Sequence, residues 1–132
     1  IDLDTVMPGL VGHDFGDAIR FAANLWRRIP WKPRKPGWIW RSSGPLLRLP
    51  QAHRRHPDPA GGGYLALSCF ALTCELATRF LDDYILGSPY FKIQYPEHNL
   101  VRARCQIALA KDMLQKLDEM DAVVHQCMEQ YR

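Results

Sequence analysis

A basic, proline-rich segment divides the chain and rules out a continuous helical fold through its middle. Residues 25–63 contain seven of the ten prolines and all four tryptophans of the 132-residue sequence. They carry nine Lys and Arg residues against one acid, Asp58, whereas the remaining residues hold eight Lys and Arg and thirteen acids. Proline interrupts a helix, and no apolar period of 2 or 3.6 runs through the segment. The sequence therefore predicts three parts, residues 1–24, 25–64 and 65–132, and regular helices in the third.

Three interpretations of the basic segment compete. Basic residues interleaved with tryptophan could bind phosphates and stack on bases, so residues 25–56 would form an interaction module for nucleic acid or acidic partners. A proline-rich linker with a polyproline II ligand is the second interpretation. The third is a stretch translated in the wrong reading frame. Permitted codons for residues 26–42 and 53–62, shifted by two bases, encode acidic peptides with a Thr-Pro-x-Glu helix start. We favour the third interpretation, under which no nucleic-acid partner is expected, and His53 and His56 would ligate a metal only under the others.

The apolar pattern becomes helical from Leu65. Apolar residues recur at spacings of three and four up to Gly87, which is a good helix C-cap. A second helix, beginning near Pro96 or Asn99, carries an apolar seam to its end: Leu109, Met113, Leu117, Met120, Val124, Cys127 and Tyr131. Such a seam is typical of docking against preceding helices, although self-association through residues 98–131 is the alternative.

Four aspartates mark the first twenty residues, IDLDTVMPGLVGHDFGDAIR. Asp2 and Asp4 follow an apolar residue, as carboxylates do at the end of a buried strand, where Mg²⁺ finds oxygen ligands; loop capping is the alternative. The block resembles the metal-binding segment of the aminoglycoside phosphotransferase and choline kinase-like superfamily, and in particular its N-acetylhexosamine 1-kinase branch. In the C-terminal half, RFLDDYILGSPYFKIQYPEHNLVRAR also resembles this branch.

The resemblance implies a fold and several residue roles. The chain would be a mainly α, C-terminal lobe part of a protein-kinase-like (α+β) phosphotransferase, with one strand remnant at its start. Asp2 would hold the Mg²⁺ that bridges the phosphates of ATP, and Asp4 would assist it. Asp14 would open a helix and brace the catalytic loop. Asp17 and Arg20, three residues apart on that helix, favour a local ion pair.

Other parts of a phosphotransferase are missing from these residues. The sequence contains no H-x-D-x-x-x-x-N catalytic loop and no Walker-type G-x-x-x-x-G-K motif, and its first residue already lies inside a motif. Phosphoryl transfer depends on many positioned groups acting together. We therefore expect the C-terminal part of an ATP-dependent sugar kinase acting on N-acetylhexosamines, with the catalytic Asp and Asn upstream, and no activity from this part alone.

The resemblance also favours a sugar-binding pocket formed by helices of this lobe. Arg79 and Asp83 would reach the pocket and bind sugar hydroxyls, and Tyr90 would stack on the sugar ring. Two plainer interpretations stay open. Glu75, Arg79, Asp82 and Asp83 are spaced as a salt-linked helix face, and the loop aromatics Tyr90, Phe91 and Tyr95 are suited to packing between two helices.

Cysteine usage and hydropathy suggest the compartment. The four cysteines lie in helical patterns without a C-x-x-C motif, which predicts reduced core thiols: Cys69, Cys74, Cys105 and Cys127. No apolar run approaches the ~18 residues of a membrane span, and no signal-peptide pattern opens the chain. We expect a cytoplasmic protein without a membrane partner.

Overall fold

The computed structural model describes residues 9–22 and 63–130. Four helices occupy these ranges: α1 (Val11–Ala22), α2 (Leu65–Ile85), α3 (His98–Gln115) and α4 (Leu117–Gln130). Within the same ranges no residue lies in a strand, so the predicted mainly α class is confirmed there. The predicted N-terminal strand, Asp2, Asp4 and nearly all of the basic segment lie outside the described residues.

One hydrophobic core joins the two blocks of sequence that flank the basic segment. Each helix contributes buried side chains to it: Phe15 and Ile19 from α1, Leu65 and Cys69 from α2, Leu109 and Met113 from α3, and Met120 and Val124 from α4. Burying one such side chain contributes on the order of 1.5–3 kcal/mol. Helix α2 is central, because it packs against each of the other three helices. The first and third parts of the sequence therefore share a single core.

Two glycines allow α1 to lie close against α2. A Cβ atom at Gly16 would stand 2.7 Å from the backbone oxygen of Ser68, and one at Gly12 would overlap the Ser68 hydroxyl. Any larger residue at Gly16 would have to push the two backbones apart. The glycine of the D-F-G-D segment is therefore required by a helix crossing.

The prediction of one continuous helix to the end of the apolar seam is wrong. Helix α3 ends at Gln115, and the N–H of Lys116 donates to the carbonyl of Met113 at 3.0 Å, a tight closing turn. Helix α4 begins at the next residue, Leu117. Seam residues on both sides of this turn, Leu109 and Met113 on α3 and Met120 and Val124 on α4, belong to the same core.

Docking of this seam against the preceding helices is confirmed. Four of its members are almost completely buried within the chain: Leu109, Met113, Met120 and Val124. These four side chains are consequently not exposed for self-association. Whether the predicted 98–131 surface associates through other residues stays a prediction.

The predicted helix end at Gly87 is confirmed. Gly87 has φ 86° and its N–H donates to the carbonyl of Tyr84 at 3.1 Å. The N–H of Ser88 donates to the carbonyl of Asp83 at 2.6 Å. These two bonds form a Schellman motif, in which a left-handed residue satisfies the last helix carbonyls. Ser88 also has a positive φ, 62°, so the chain turns sharply away from α2 into the next loop.

Candidate functional site: the junction of α2 and α3

The three sequence-predicted residues for sugar binding meet where α2 ends. Arg79 and Asp83 lie in its last two turns, and Tyr90 lies in the loop of residues 86–97 that connects α2 with α3. The structure places them differently with respect to solvent: Asp83 is buried, whereas the side chains of Arg79 and Tyr90 are exposed. They therefore have different capacities to touch a ligand.

Asp83 turns inward and binds the loop. Its side chain is only 4% exposed. One carboxylate oxygen accepts the N–H of Tyr90 at 2.8 Å, and the other accepts the N–H of Phe91 at 3.1 Å and the side-chain amide of Asn99 at 2.7 Å. A buried carboxylate is strongly unfavourable unless hydrogen bonds replace its hydration. Three donors do so here, two of them consecutive backbone amides.

Asn99 and Arg102 extend this network, and the sequence analysis missed both. The fully buried Asn99 donates a second hydrogen bond from Nδ2 to the Ser88 hydroxyl at 3.2 Å, and its Oδ1 accepts from Nη1 of Arg102 at 2.8 Å. Arg102 Nη1 also donates to the carbonyl of Lys92 at 3.1 Å. The available signal was the asparagine in the first turn of a helix with an arginine three residues later, but many exposed helix starts share it.

The neighbouring loop aromatics Tyr90 and Phe91 differ in exposure. Phe91 packs against Phe80 of α2, with ring centroids 4.7 Å apart at 53°. Tyr90 is 74% exposed and meets the Phe91 ring edge-on at 4.8 Å and 85°. The guanidinium of Arg102 lies 5.5 Å over the Phe80 ring. Packing between helices, one of the two interpretations of these aromatics, is therefore confirmed for Phe91 but does not describe Tyr90.

Arg79 stands beside the exposed tyrosine. Its guanidinium carbon lies 5.9 Å from the Tyr90 ring centroid and 5.8 Å from that of Phe91, distances at which a cation is attracted to a ring. Nη1 of Arg79 is 4.0 Å from the Glu75 carboxylate, and the arginine side chain is 51% exposed. Such an exposed pair contributes about 0–1 kcal/mol. We call Glu75, Arg79 and Tyr90 the Arg79–Tyr90 face; it offers donors, an acceptor and an aromatic ring to solvent.

The predicted salt-linked helix face forms only in part. Glu75 and Arg79 make the contact just described, whereas the Asp83 carboxylate binds the loop. Sequence spacing placed Asp83 on the same side as Arg79, but α2 ends two residues later and the loop folds back over it. The substrate-binding roles of Arg79, Asp83 and Tyr90 stay predictions.

The far end of the loop is held by a neutral histidine. The Tyr95 ring stacks on His98 at 4.7 Å and 19°, and Nδ1 of His98 accepts the N–H of Gln94 at 3.2 Å. Desolvation and the positive charge of Arg102 lower the pKa of His98. A lowered pKa keeps the imidazole neutral at pH 7, the form in which Nδ1 can accept a hydrogen bond.

Two of the N-terminal candidates, Asp14 and Asp17, lie on α1, which crosses α2 near Ser68. Asp14 is exposed in the first turn of α1, where a negative charge is favourable, although the helix begins three residues earlier, at Val11; its bracing role stays a prediction. The predicted local ion pair of Asp17 and Arg20 is confirmed, with Nε of Arg20 at 3.2 Å from the carboxylate. Asp2 and Asp4, the candidate Mg²⁺ ligands, lie outside the described residues.

The described residues hold thiols but no metal cluster. Cys69, Cys74 and Cys105 are free thiols, and burial raises the pKa of Cys69 to about 12, so this thiol stays protonated in the core. In residues 9–22 and 63–130, no three His, Cys, Asp or Glu side chains are grouped to hold a metal ion. The same ranges contain no helix with the length and apolarity to cross a membrane.

No protein-family model matches the chain. The kinase resemblance therefore stays a prediction that rests on the two sequence blocks.

Proposed function

We propose that this chain is the C-terminal part of an ATP-dependent sugar phosphotransferase of the N-acetylhexosamine 1-kinase type. The observation that carries the proposal is the block IDLDTVMPGLVGHDFGDAIR, together with its partner block in the second half. The core that α1 shares with α2 supports it, because the two parts of the chain that contain these blocks pack together although the basic segment separates them. The Arg79–Tyr90 face gives further support, because two of its three residues, Arg79 and Tyr90, lie within the second block.

The proposed roles follow the chemistry of each group. Asp2, assisted by Asp4, would hold Mg²⁺, since carboxylate oxygens are the ligands this hard cation prefers. Bound there with ATP, the ion would neutralise charge on the transferred phosphoryl group. Asp14 would brace the catalytic loop from the first turn of α1. The helices α2 and α3 would supply the side that receives the sugar.

The Arg79–Tyr90 face suits a sugar ring. A pyranose has a C–H face that packs on an aromatic ring, and hydroxyls at its edge that accept from a guanidinium and donate to a carboxylate. Tyr90 presents such a ring, and Arg79 and Glu75 present the donors and the acceptor beside it. Asp83 is too buried to contribute directly, so we assign the direct contacts to Arg79 and Tyr90.

Sugar binding to the isolated chain tests this assignment. In a titration of isotopically labelled chain with N-acetylglucosamine, followed by nuclear magnetic resonance, the Tyr90 signals should shift. Tyr90→Leu and Arg79→Met should each weaken binding about tenfold, since each removes one main contact. Tyr95→Leu is the matched control, because Tyr95 lies in the same loop but stacks on His98. Binding that is absent, or insensitive to both substitutions, would contradict the assignment.

The isolated chain is expected to transfer no phosphate. It contains no H-x-D-x-x-x-x-N motif to supply a base and the second metal ligand, and one metal carboxylate pair cannot replace them. The measurement is product formation from ATP, Mg²⁺ and N-acetylhexosamines with purified chain. Turnover above the Asp2→Asn variant would show that the catalytic groups lie within these residues.

A non-enzymatic interaction module is the second candidate, favoured only by the charge of residues 25–56. Its signature would be affinity for nucleic acid that falls steeply with salt, because neutralised phosphates release counterions. Neutralising Arg27, Arg28, Arg34 and Lys35 would abolish that affinity. The sugar kinase proposal expects neither effect.

A further inference from the structure

The loop between α2 and α3 is held by several hydrogen bonds with side chains of both helices. Between Ser88 and Lys92 the loop is held at four points by side chains of α2 and α3. Asp83 accepts the N–H groups of Tyr90 and Phe91, Asn99 donates to the Ser88 hydroxyl, and Arg102 donates to the carbonyl of Lys92. These contacts bracket Tyr90 on both sides along the chain.

We propose that Asp83 is a positioning residue: with Asn99 and Arg102 it fixes the backbone at Tyr90 so that this ring stands beside Arg79 and receives the sugar. The inference rests on the proposed function of the Arg79–Tyr90 face. Asp83 then affects sugar binding through the conformation of the loop and does not contact the sugar itself.

The burial of Asp83 argues against direct contact. The carboxylate is 4% exposed and both oxygens are engaged by donors of the chain itself. A sugar hydroxyl would have to displace a backbone amide to reach it. That exchange would leave a buried N–H unpaired, which is unfavourable.

The two hydrogen bonds from the N–H groups of Tyr90 and Phe91 to Asp83 also restrict where the Tyr90 side chain can point. Tyr90 and Phe91 are adjacent residues of a bend in the loop, and one carboxylate holds both of their N–H groups. With the backbone fixed in this way, the half-buried Phe91 packs against Phe80, and the exposed Tyr90 ring meets Phe91 edge-on beside Arg79. Phe91 thus acts as a second anchor, and the Tyr90 ring needs no contact of its own with the core.

Asn99 sets the orientation of the carboxylate. Its amide is bound at both ends, to Asp83 and Ser88 through Nδ2 and to Arg102 through Oδ1. A flipped amide would place donor against donor at Arg102 and acceptor against acceptor at Asp83. A single orientation of the Asn99 amide is therefore compatible with the network, and this helps to fix the loop in one conformation. A preorganised site binds more tightly because less conformational entropy is lost on binding.

The test combines sugar affinity with amide hydrogen exchange on the full chain. Asp83→Asn keeps the shape of the side chain but replaces one acceptor by a donor, which must face either the Tyr90 N–H or the donors at Phe91 and Asn99. We expect the Tyr90 and Phe91 amides to exchange at least about tenfold faster, and N-acetylglucosamine affinity to fall about tenfold although Arg79 and Tyr90 are intact. Asp82→Asn is the matched control, since the neighbouring exposed acid undergoes the same charge change. It should alter neither quantity.

A second variant covers the case in which Asp83→Asn unfolds the chain. Arg102→Met keeps an apolar stem near Phe80 but removes the bonds to Asn99 and Lys92. It should produce the same two effects, about threefold each, because one charged donor is lost rather than a carboxylate.

The outcomes separate the two proposals. Weaker sugar binding with unchanged exchange at Tyr90 and Phe91 would overturn the positioning role and indicate direct contact by Asp83. Faster exchange with unchanged affinity would also overturn it, because the sugar would not depend on the loop. If the unsubstituted chain binds no sugar, the proposed function fails and the sugar part of this inference fails with it, while the exchange data still decide whether Asp83 fixes the loop.

Discussion

Met113→Ala is expected to destabilise the chain by about 3 kcal/mol, the middle of the range for truncating a buried methionine. Met113 is fully buried in the core to which α2, α3 and α4 contribute, and its sulfur lies 3.4 Å from the hydroxyl of Thr73, which donates to the carbonyl of Cys69 at 2.7 Å. Truncation removes the side-chain atoms beyond Cβ and leaves a cavity between three helices, which cannot all move inward to fill it. The free energy of unfolding in urea measures the effect.

The adjacent residue supplies the control for this prediction. Leu114 is 56% exposed on the same helix, so Leu114→Ala should change the free energy of unfolding by no more than about 0.5 kcal/mol. A similar loss for both substitutions would mean that α3 does not bury the face described here.

Gly16→Ala is expected to destabilise the chain by about 2 kcal/mol, although alanine in place of an interior helical glycine is ordinarily stabilising by roughly 0.5–1 kcal/mol. The sign reverses because the new Cβ would lie 2.7 Å from the Ser68 carbonyl oxygen. That oxygen belongs to the backbone of α2, so only a shift of a whole helix relieves the overlap. The midpoint of chemical unfolding reports the loss.

Gly12→Ala is the matched control for the helix crossing. Its nearest obstacle is the Ser68 side chain, which a second substitution can remove. Adding Ser68→Ala, which removes the overlapping hydroxyl, should therefore restore much of the stability lost in Gly12→Ala and little of that lost in Gly16→Ala. Equal rescue of both variants would show that α1 and α2 do not cross as closely as described.

Together, Met113→Ala and Gly16→Ala test whether the two parts of the chain that flank the basic segment share one core. Met113 tests the core from the side of the C-terminal helices, and Gly16 tests it from the side of α1. Both concern the stability of the described residues alone, so they hold whichever interpretation of the basic segment is correct.

Local chemistry in the sequence predicted several elements correctly. The helical period from Leu65 and the glycine at position 87 located α2 and its end, because both signals act over a few residues. The three-residue spacing of Asp17 and Arg20 likewise predicted their ion pair. The break between α3 and α4 was not predicted, since the seam continues through Lys116 with helical spacing and no proline or glycine marks the turn.

The sequence by itself determined which faces of the helices are apolar and where α2 stops. Only the tertiary structure decided that Asp83 is buried beneath a returning loop while Arg79, one helical turn earlier, stays in solvent. The spacing of apolar residues shows which side of a helix is apolar, but it does not show which distant segment covers a given residue. The bonds from Asp83 to Tyr90 and Asn99 join groups 7 and 16 residues apart, and such contacts arise only when packing brings those segments together.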